Sequence, residues 1–415
     1  MRVPPAVYVL GSSIFVLGTT EFMIAGLLPT IATDLDVSIP DAGLLISGFA
    51  IGMTIGAPVM AVATLRLPRK ATLLAAAAVF LAGHVVAALA PTYELLMAAR
   101  VVTAVATGAF WAVAAVVTVR ISPPGTTARA LAVLVGGLTL SNVLGVPAGT
   151  WVGQQLGWRA AFWAVAGLAV LTTLAVVALV PKSAGAASEP PRVRDELRVF
   201  RGRRIWLALA TTATFQAAMF AAFSYFAPLL TDVAGLDEAD VPLVLALFGL
   251  GSFIGITIGG RIADRGLFLN IFGSLVALAV TMSVLALVSG STAGAVAAVF
   301  AVGVAGFSIA PGLNARVFVV AGDAPTLASS VNTSAFNVGN TVGPWLGGAA
   351  ISAGWGYVAP VWLAAGLALA GLVLALTAWA HEQRHERALA AAAQPRTAPA
   401  PVGAAASTPP VACDA

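Results

Sequence analysis

Long apolar runs recur along the whole chain, and short polar segments separate them. A helix of about 20 apolar residues crosses roughly 30 Å of hydrocarbon, whereas the strands of a membrane barrel alternate apolar and polar residues over about ten positions. These runs are apolar on all sides, so they predict an all-α membrane protein with twelve transmembrane helices. The runs cover approximately residues 7–29, 43–64, 71–90, 96–119, 130–152, 160–180, 205–230, 242–262, 268–289, 292–313, 328–351 and 357–379.

The composition agrees with a bilayer rather than water as the main solvent. The 415 residues are 60% hydrophobic and 9% charged, compared with roughly 25% charged residues in soluble domains. The net charge of +4 comes from basic residues in short loops, so we expect no nucleic acid partner. Cys413 is the single cysteine, which excludes an intrachain disulfide.

Basic and acidic residues alternate between successive loops. One set of loops holds most of the basic residues, including Arg66 and Arg69, and the other set holds most of the acidic residues, including Asp34 and Glu94. Because Lys and Arg concentrate in the cytoplasmic loops of membrane proteins, this pattern predicts that both termini are cytoplasmic. The same argument assigns Arg316 to a cytoplasmic loop.

The two halves of the chain repeat each other at a nearly constant offset. We therefore expect an N-terminal half (1–181), a basic cytoplasmic linker (182–204), a C-terminal half (205–380) and a disordered cytoplasmic tail (381–415). Parallel repeats of six helices, with a site at their interface, are the layout of major facilitator transporters. The matching pairs include Pro29 with Pro228, Gly52 with Gly251, Arg66 with Arg265, Pro147 with Pro344, Gly157 with Gly354, and Trp158 with Trp355.

Two charged residues lie inside predicted helices of the first half, Glu21 in the first helix and Arg100 in the fourth. An ionised side chain in hydrocarbon costs on the order of 2.5 kcal/mol or more, so it usually faces a wet cavity or an opposite charge. Glu21 lies about 12 Å from Pro29, at a depth similar to that of Arg100. We predict that Glu21 binds a proton and pairs with Arg100, directly or through water. The alternative, in which Arg100 reaches the interface alone, stays open.

The second half lacks this pair, because the repeat places Phe220 and Val299 at the equivalent positions. We therefore expect the first half to handle protons and the second half to make apolar and neutral polar contacts. His84, in the third run, is expected to be neutral and locally hydrogen-bonded. The neutral polar residues of the second half are Gln216, Tyr225, Asn314, Asn332, Asn337 and Asn340. Candidate apolar contacts with a substrate are Phe22, Trp111, Phe215, Met219 and Phe223.

One motif near the end of the chain points to a different class of protein. His381, Glu382 and His385 match the zinc-protease pattern His-Glu-x-x-His. The motif lies beyond the last apolar run and beside Arg384, without a ligand cluster inside the membrane. We interpret it as the charged end of the last helix and expect no metal. A membrane-embedded zinc protease is the remote alternative.

Three stretches of the first half resemble a known family. GTTEFMIAGLLP (18–29), GHVVAALAP (83–91) and NVLGVPAGTWVG (142–153) resemble bacterial chloramphenicol-resistance exporters of the major facilitator superfamily, in its drug:proton antiporter branch. The resemblance implies a transporter rather than an enzyme, in the bacterial inner membrane. It further implies proton-coupled efflux of chloramphenicol or a related phenicol by alternating access. Export or import of a sugar, nucleoside or other metabolite is the alternative. The expected partners are a small-molecule substrate, protons and lipid, with no cofactor, in a monomer.

A short loop of the second half carries opposite charges side by side. Its residues Gly260, Asp264 and Arg265 resemble the major facilitator signature Gly-x-x-x-Asp-Arg. Such charges can pair with helix ends or with the other half and hold the cytoplasmic side shut. The first-half loop keeps Arg66 and Arg69 without the glycine and aspartate, so we expect an aspartate latch in the second half. The alternative is a loop that only sets the topology.

The fifth run carries small residues at intervals of four. Gly137, Gly145 and Gly149 share one helix face, and Pro147 lies between them. Small residues let helices approach closely, and proline bends a helix. The stretch resembles the signature helix of drug:proton antiporters, with Val146 before the proline where glycine is usual. A role in packing alone is the alternative.

Overall fold

The computed structural model describes residues 3–64, 67–123, 126–181, 202–321 and 325–393. Within these ranges the chain is all-α, and this part of the prediction is confirmed. The long helices are α1 (Pro5–Phe22), α2 (Ile24–Asp34), α3 (Ile39–Ala63), α4 (Arg69–Leu89), α5 (Tyr93–Ile121), α6 (Thr127–Leu140), α7 (Val146–Leu156), α8 (Trp158–Leu179), α9 (Arg203–Phe223), α10 (Val241–Ala263), α11 (Leu267–Val288), α12 (Thr292–Phe307), α13 (Ala310–Ala321), α14 (Pro325–Ala350) and α15 (Ala359–Ala393). Shorter helical segments are Ser141–Gly145, Phe226–Pro228, Leu229–Val233, Glu238–Asp240 and Ile351–Trp355.

Eleven spans in the described ranges are long and apolar enough to cross a membrane. The helix at the eleventh predicted run, α14, is the exception because Ser, Thr and Asn residues lower its hydropathy. Asn332, Asn337 and Asn340 of this helix are buried. Buried polar residues in a membrane helix face the protein interior or a cavity rather than lipid. The polar character of α14 therefore indicates that it lies inside the bundle.

In the first half, two of the predicted transmembrane runs are broken helices. The first run consists of α1 and α2, which meet at Met23. The fifth run consists of α6 and α7, joined by the π-helical segment Ser141–Gly145. Pro147 follows this segment and lacks the N–H that would continue the regular hydrogen-bond ladder, which accounts for the local widening.

The two halves meet along two pairs of helices. α3 packs against α14, and α10 packs against α7 and Ser141–Gly145. Hydrogen bonds cross the first interface, where Ser47 Oγ donates to the carbonyl of Thr341 at 2.8 Å. At the second interface, Gly249 of α10 lies directly against the backbone of Asn142. A glycine at this position allows the two backbones to approach closely.

Replacing Gly249 by valine is expected to separate the second pair of helices. A Cβ at Gly249 would lie 2.5 Å from the carbonyl oxygen of Asn142 and 2.6 Å from Val143 Cα. Overpacking of this kind costs about 1–3 kcal/mol, so the free energy of unfolding should fall by that amount. Thermal unfolding in detergent measures it. Gly273→Val is the matched control, since no atom lies within 4 Å of a Cβ built there; equal losses for both variants would contradict the prediction.

The turns before the last helix of each half both contain a glycine with positive φ. Gly157 has φ of 85° and precedes α8, and its predicted equivalent Gly354 has φ of 82° shortly before α15. Residues with a side chain rarely adopt such left-handed conformations, whereas glycine does so at little cost. Both turns therefore depend on glycine, although the path of the chain differs, with ψ of 148° at Gly157 and 14° at Gly354.

The last helix corrects the expected start of the disordered tail. α15 runs to Ala393, beyond the predicted boundary at residue 380, because the charged segment after Trp379 continues the helix and packs against the protein. The rest of the predicted tail, 394–415, lies outside the described residues. Most of the predicted linker, residues 182–201, also lies outside them, and its last two residues belong to α9.

A buried ionic cluster corrects the assignment of Arg316 to a loop. Arg316 lies in α13, is 2% exposed, and donates from Nη2 to Glu382 Oε1 at 3.1 Å. Arg204 Nη2 lies 3.9 Å from the other carboxylate oxygen of Glu382, and the Arg316 guanidinium stacks 4.8 Å above the Phe268 ring centre. We call these four residues the inner-end cluster. It joins α9, α11, α13 and α15, and it engages the glutamate of the His-Glu-x-x-His motif in an ion pair.

Candidate functional site

A cavity of about 550 Å³ lies between the two halves. This volume is within the range of small-molecule sites in proteins. Helices of both halves line it, among them α1, α5 and α6 from the first half and α9, α10 and α14 from the second. The structure places all five predicted apolar contacts in the lining, namely Phe22, Trp111, Phe215, Met219 and Phe223.

One wall of the cavity is a chain of aromatic rings. Phe22 of α1 lies 5.5 Å from Phe220 of α9, measured between ring centroids. Phe220 lies 5.4 Å from Phe223, which stacks on Phe248 at 5.0 Å. Phe307 continues the chain at 5.9 Å from Phe248. Rings at such distances attract each other and offer their faces or edges to a further aromatic group.

The polar part of the cavity is centred on Glu21. This is the single Asp, Glu, His, Lys or Arg among the described residues that line the cavity. Asn340 of α14 donates from Nδ2 to Glu21 Oε1 at 3.3 Å, so the contact joins the two halves. Gln216 of α9 donates from Nε2 to Asn340 Oδ1 at 2.8 Å. One carboxylate and two amides therefore form a continuous polar path across the cavity.

Arg100 lies beside Glu21 but binds its main chain rather than its carboxylate. Arg100 is 1% exposed, and it donates to the carbonyls of Thr20 at 2.8 Å and Glu21 at 3.5 Å. The last carbonyls of a helix lack partners within the helix, and α1 ends at Phe22. The expected direct pair between the two side chains is thus absent from the described part of the chain, because the break in α1 presents carbonyl groups to the guanidinium instead. The alternative in which Arg100 reaches the membrane interface is also wrong.

Two further groups of contacts lie beside these hydrogen bonds, one between Arg100 and an aromatic ring and the other around His84. The Arg100 guanidinium lies 4.2 Å above the ring centre of Phe49. His84 is 1% exposed, with Nδ1 2.8 Å from the carbonyl of Phe80 and Nε2 2.7 Å from Thr20 Oγ1. Because a carbonyl only accepts, Nδ1 donates and Nε2 accepts from the Thr20 hydroxyl. His84 is hydrogen-bonded within its own helix, as expected, and also to Thr20 of α1.

The predicted loop and helix motifs lie away from the cavity. Arg66 lies outside the described residues, and Arg69 begins α4 and donates to the carbonyl of Thr64 at 3.3 Å. Gly260 belongs to α10, and Asp264 and Arg265 follow it without an ion pair to any other described residue. A latch by Asp264 therefore remains a prediction. The backbone at Gly137 and Gly145 packs against α1 and that at Gly149 packs against Met23, with Pro147 at the start of α7.

The cavity extends toward one end of the bundle. Its lining reaches Val135 of α6 and Phe318 of α13, near the end that the loop charges assign to the cytoplasm. At the opposite end α2 packs against Phe226–Pro228. There Gln154 of α7 donates to the carbonyl of Glu238 at 2.8 Å, across the two halves. The cavity thus extends toward one end of the bundle, and these contacts join the two halves at the other end.

Asn340 and Gln216 are two polar site residues that sequence reasoning did not select. Both were recognised as neutral polar residues in apolar runs, which is a signal of an interior position. Several other amides of the second half carry the same signal. Only the positions of α9 and α14 relative to α1 identify the two amides that reach Glu21.

A bundle of apolar membrane helices around a central cavity, with Glu21 as the charged residue among its described lining residues, is an arrangement typical of small-molecule transporters. The comparisons with known proteins agree: residues 10–326 match the Major Facilitator Superfamily, and the chain belongs to this family. It is 40% identical over 377 residues to the inner membrane transport protein YdhP of Escherichia coli K12, covering 91% of this chain and 96% of that protein. It is 39% identical over 375 residues to a chloramphenicol resistance protein of Streptomyces lividans, covering 89% and 95%.

A solved structure supports the same fold. A bacterial homolog of the human lysosomal transporter Spinster, in an inward-facing and unoccupied conformation, matches with a TM-score of 0.68 and 17% identity. The match covers 90% of this chain and 95% of that one. Together with the eleven apolar spans, these relatives establish a multi-pass transporter of the bacterial inner membrane.

Proposed function

We propose that the protein exports a small uncharged amphipathic drug, chloramphenicol or a related phenicol, in exchange for protons. The observation that carries the proposal is the position of Glu21 beside a wall of phenylalanines, as the one charged residue among the described residues that line the cavity. A carboxylate in this setting can hold a proton, and the aromatic wall can hold an apolar ring. The 39% identical relative named as a chloramphenicol resistance protein supports the choice of drug.

In this proposal the drug and the proton compete for the same part of the cavity. The drug enters from the cytoplasmic end and places its ring among Phe22, Phe220 and Phe223. Its hydroxyl and amide groups bind Glu21, which is ionised at that stage. The halves then rock about their shared interfaces, and a proton from outside takes the place of the drug on Glu21. Arg100 positions the end of α1 throughout.

Transport by everted membrane vesicles tests the proposal. With the vesicle interior one pH unit more acidic than the medium, we expect radiolabelled chloramphenicol to accumulate about tenfold. The reason is that a difference of one pH unit per exchanged proton corresponds to a factor of ten. A protonophore should abolish the accumulation. Vesicles from cells without the gene provide the background value.

A panel of sugars and nucleosides distinguishes the alternative activity. If the vesicles concentrate one of these metabolites and leave chloramphenicol at background, the protein is a metabolite transporter and the drug assignment is wrong. If neither class accumulates with the pH gradient, proton-coupled export is wrong as well.

A further inference from the structure

We propose that Asn340, oriented by Gln216, holds the empty carrier in place while Glu21 is ionised. The bond between Asn340 and Glu21 would then enforce exchange, because the carrier could change conformation only after a drug or a proton has replaced this contact. Asn340 is a positioning residue in this inference. The inference rests on the proposed function and goes beyond it by naming the residue that prevents the empty, ionised carrier from returning.

The direction of the hydrogen bonds follows from the chemistry of Glu21. An ionised carboxylate only accepts hydrogen bonds, so Asn340 must turn its Nδ2 toward Glu21 Oε1, 3.3 Å away. Its Oδ1 is then left facing Gln216, which donates from Nε2 at 2.8 Å. Each amide has one orientation that satisfies both contacts. Gln216 therefore fixes the donor that the carboxylate needs.

The bond connects parts of the protein that move apart during rocking. Glu21 lies on α1 of the first half, whereas Asn340 and Gln216 lie on α14 and α9 of the second half. Asn340 is 4% exposed, so water has little access to its amide. Rotation of one half against the other would separate Asn340 from Glu21 while leaving the Gln216–Asn340 pair together.

The other charged and titratable groups near Glu21 do not replace this donor. Arg100 of α5 donates to the main-chain carbonyls of Thr20 and Glu21. His84 of α4 interacts with Thr20 and with the carbonyl of Phe80. Among the described residues, Asn340 is thus the hydrogen-bond donor to the Glu21 carboxylate. Breaking this bond without a substitute leaves a buried charge without a donor, which is costly.

Two events remove that cost. Protonation of Glu21 discharges the carboxylate, and a hydroxyl or amide N–H of a bound drug replaces Asn340 as the donor. A carrier with either ligand can rock, whereas a carrier with neither is held. This is the rule that an exchanger requires, and here it follows from one side-chain amide.

Asn340→Leu is expected to uncouple the two fluxes. In liposomes containing the purified protein, radiolabelled chloramphenicol flows out down its gradient while a trapped pH dye records proton movement. The wild type should move drug and protons in a fixed ratio. The variant should move on the order of tenfold more drug per proton, since a hydrogen bond to a charged group is worth at least that factor. Exchange of labelled for unlabelled drug measures whether the variant is folded and still binds the drug.

Asn332→Leu is the matched control. Asn332 is a buried amide on the same helix, and its partners Thr212 and Asn314 belong to the second half. Its replacement should leave the drug-to-proton ratio unchanged. If Asn340→Leu is unable to exchange drug, Gln216→Leu is tested instead, because it removes the group that orients Asn340. This variant should also raise the ratio of drug to protons.

The outcomes separate this inference from the proposed function. A wild-type ratio in Asn340→Leu, with drug exchange intact, overturns the inference and leaves proton-coupled export standing. If Asn340→Leu is inactive, a wild-type drug-to-proton ratio in Gln216→Leu likewise overturns the inference and leaves proton-coupled export standing. If drug efflux by the wild type moves no protons, the proposed function itself is wrong.

Discussion

Replacing Glu21 by glutamine is expected to abolish accumulation of drug driven by a pH gradient. In everted vesicles with one pH unit across the membrane, the drug ratio should fall from about tenfold to one, since no group in the cavity then exchanges the proton. Glutamine has the shape of glutamic acid, and its side-chain oxygen can still accept from Asn340. The fold and the cavity should therefore persist, and the loss should be specific to coupling.

Two measurements make this result specific. Exchange of labelled for unlabelled chloramphenicol across the membrane should continue in Glu21→Gln, because exchange needs the drug site without net proton movement. Glu94→Gln provides the control for a lost carboxylate, since Glu94 is exposed at the start of α5. Full gradient-driven accumulation by Glu21→Gln would show that the proton binds elsewhere.

Removal of the Glu382 carboxylate is expected to have the largest effect on stability. In Glu382→Ala the buried guanidinium of Arg316 loses its ion partner, while Nε and Nη1 of the same group already lack hydrogen-bond partners among the described residues. Breaking a buried ion pair from one side costs about 3–5 kcal/mol. The temperature of unfolding in detergent should fall by several degrees.

A double replacement distinguishes the lost ion pair from lost packing. Replacing both partners, as Arg316→Met with Glu382→Leu, should recover most of the stability, because well-packed apolar residues can substitute for a buried pair. Gln383→Ala, a neighbour on α15, should unfold near the wild-type temperature. If Glu382→Ala also unfolds at the wild-type temperature, the inner-end cluster does not contribute to the fold.

The helical architecture was predictable because every apolar run is long enough to span a bilayer. The charges of Glu21 and Arg100 inside apolar runs likewise indicated a functional region. The aromatic residues predicted to contact a substrate line the cavity in the structure. Depth along the helix axis could be calculated from the sequence. The direction in which each side chain points could not, since it depends on how the helices rotate against one another.

The errors have the same physical origin. The break at Met23 is invisible in a continuous apolar run, yet it supplies the carbonyls that Arg100 binds. The burial of Arg316 depends on the length of α15, which brings Glu382 to it. Of the second-half amides, Asn340 reaches Glu21 only through the packing of α14 across the interface. Each is a tertiary contact between distant segments.

The attachment of Arg100 to main-chain carbonyls determines how the membrane voltage can act on this carrier. Carbonyl groups neither gain nor lose protons, so the bonds that hold Arg100 do not themselves titrate. Voltage does work only on charge that moves through the field, about 2.3 kcal/mol per unit charge for each 100 mV. With the arginine anchored to the backbone of its own half, the proposed exchange of protons at Glu21 would be the main charge movement through which the voltage drives transport.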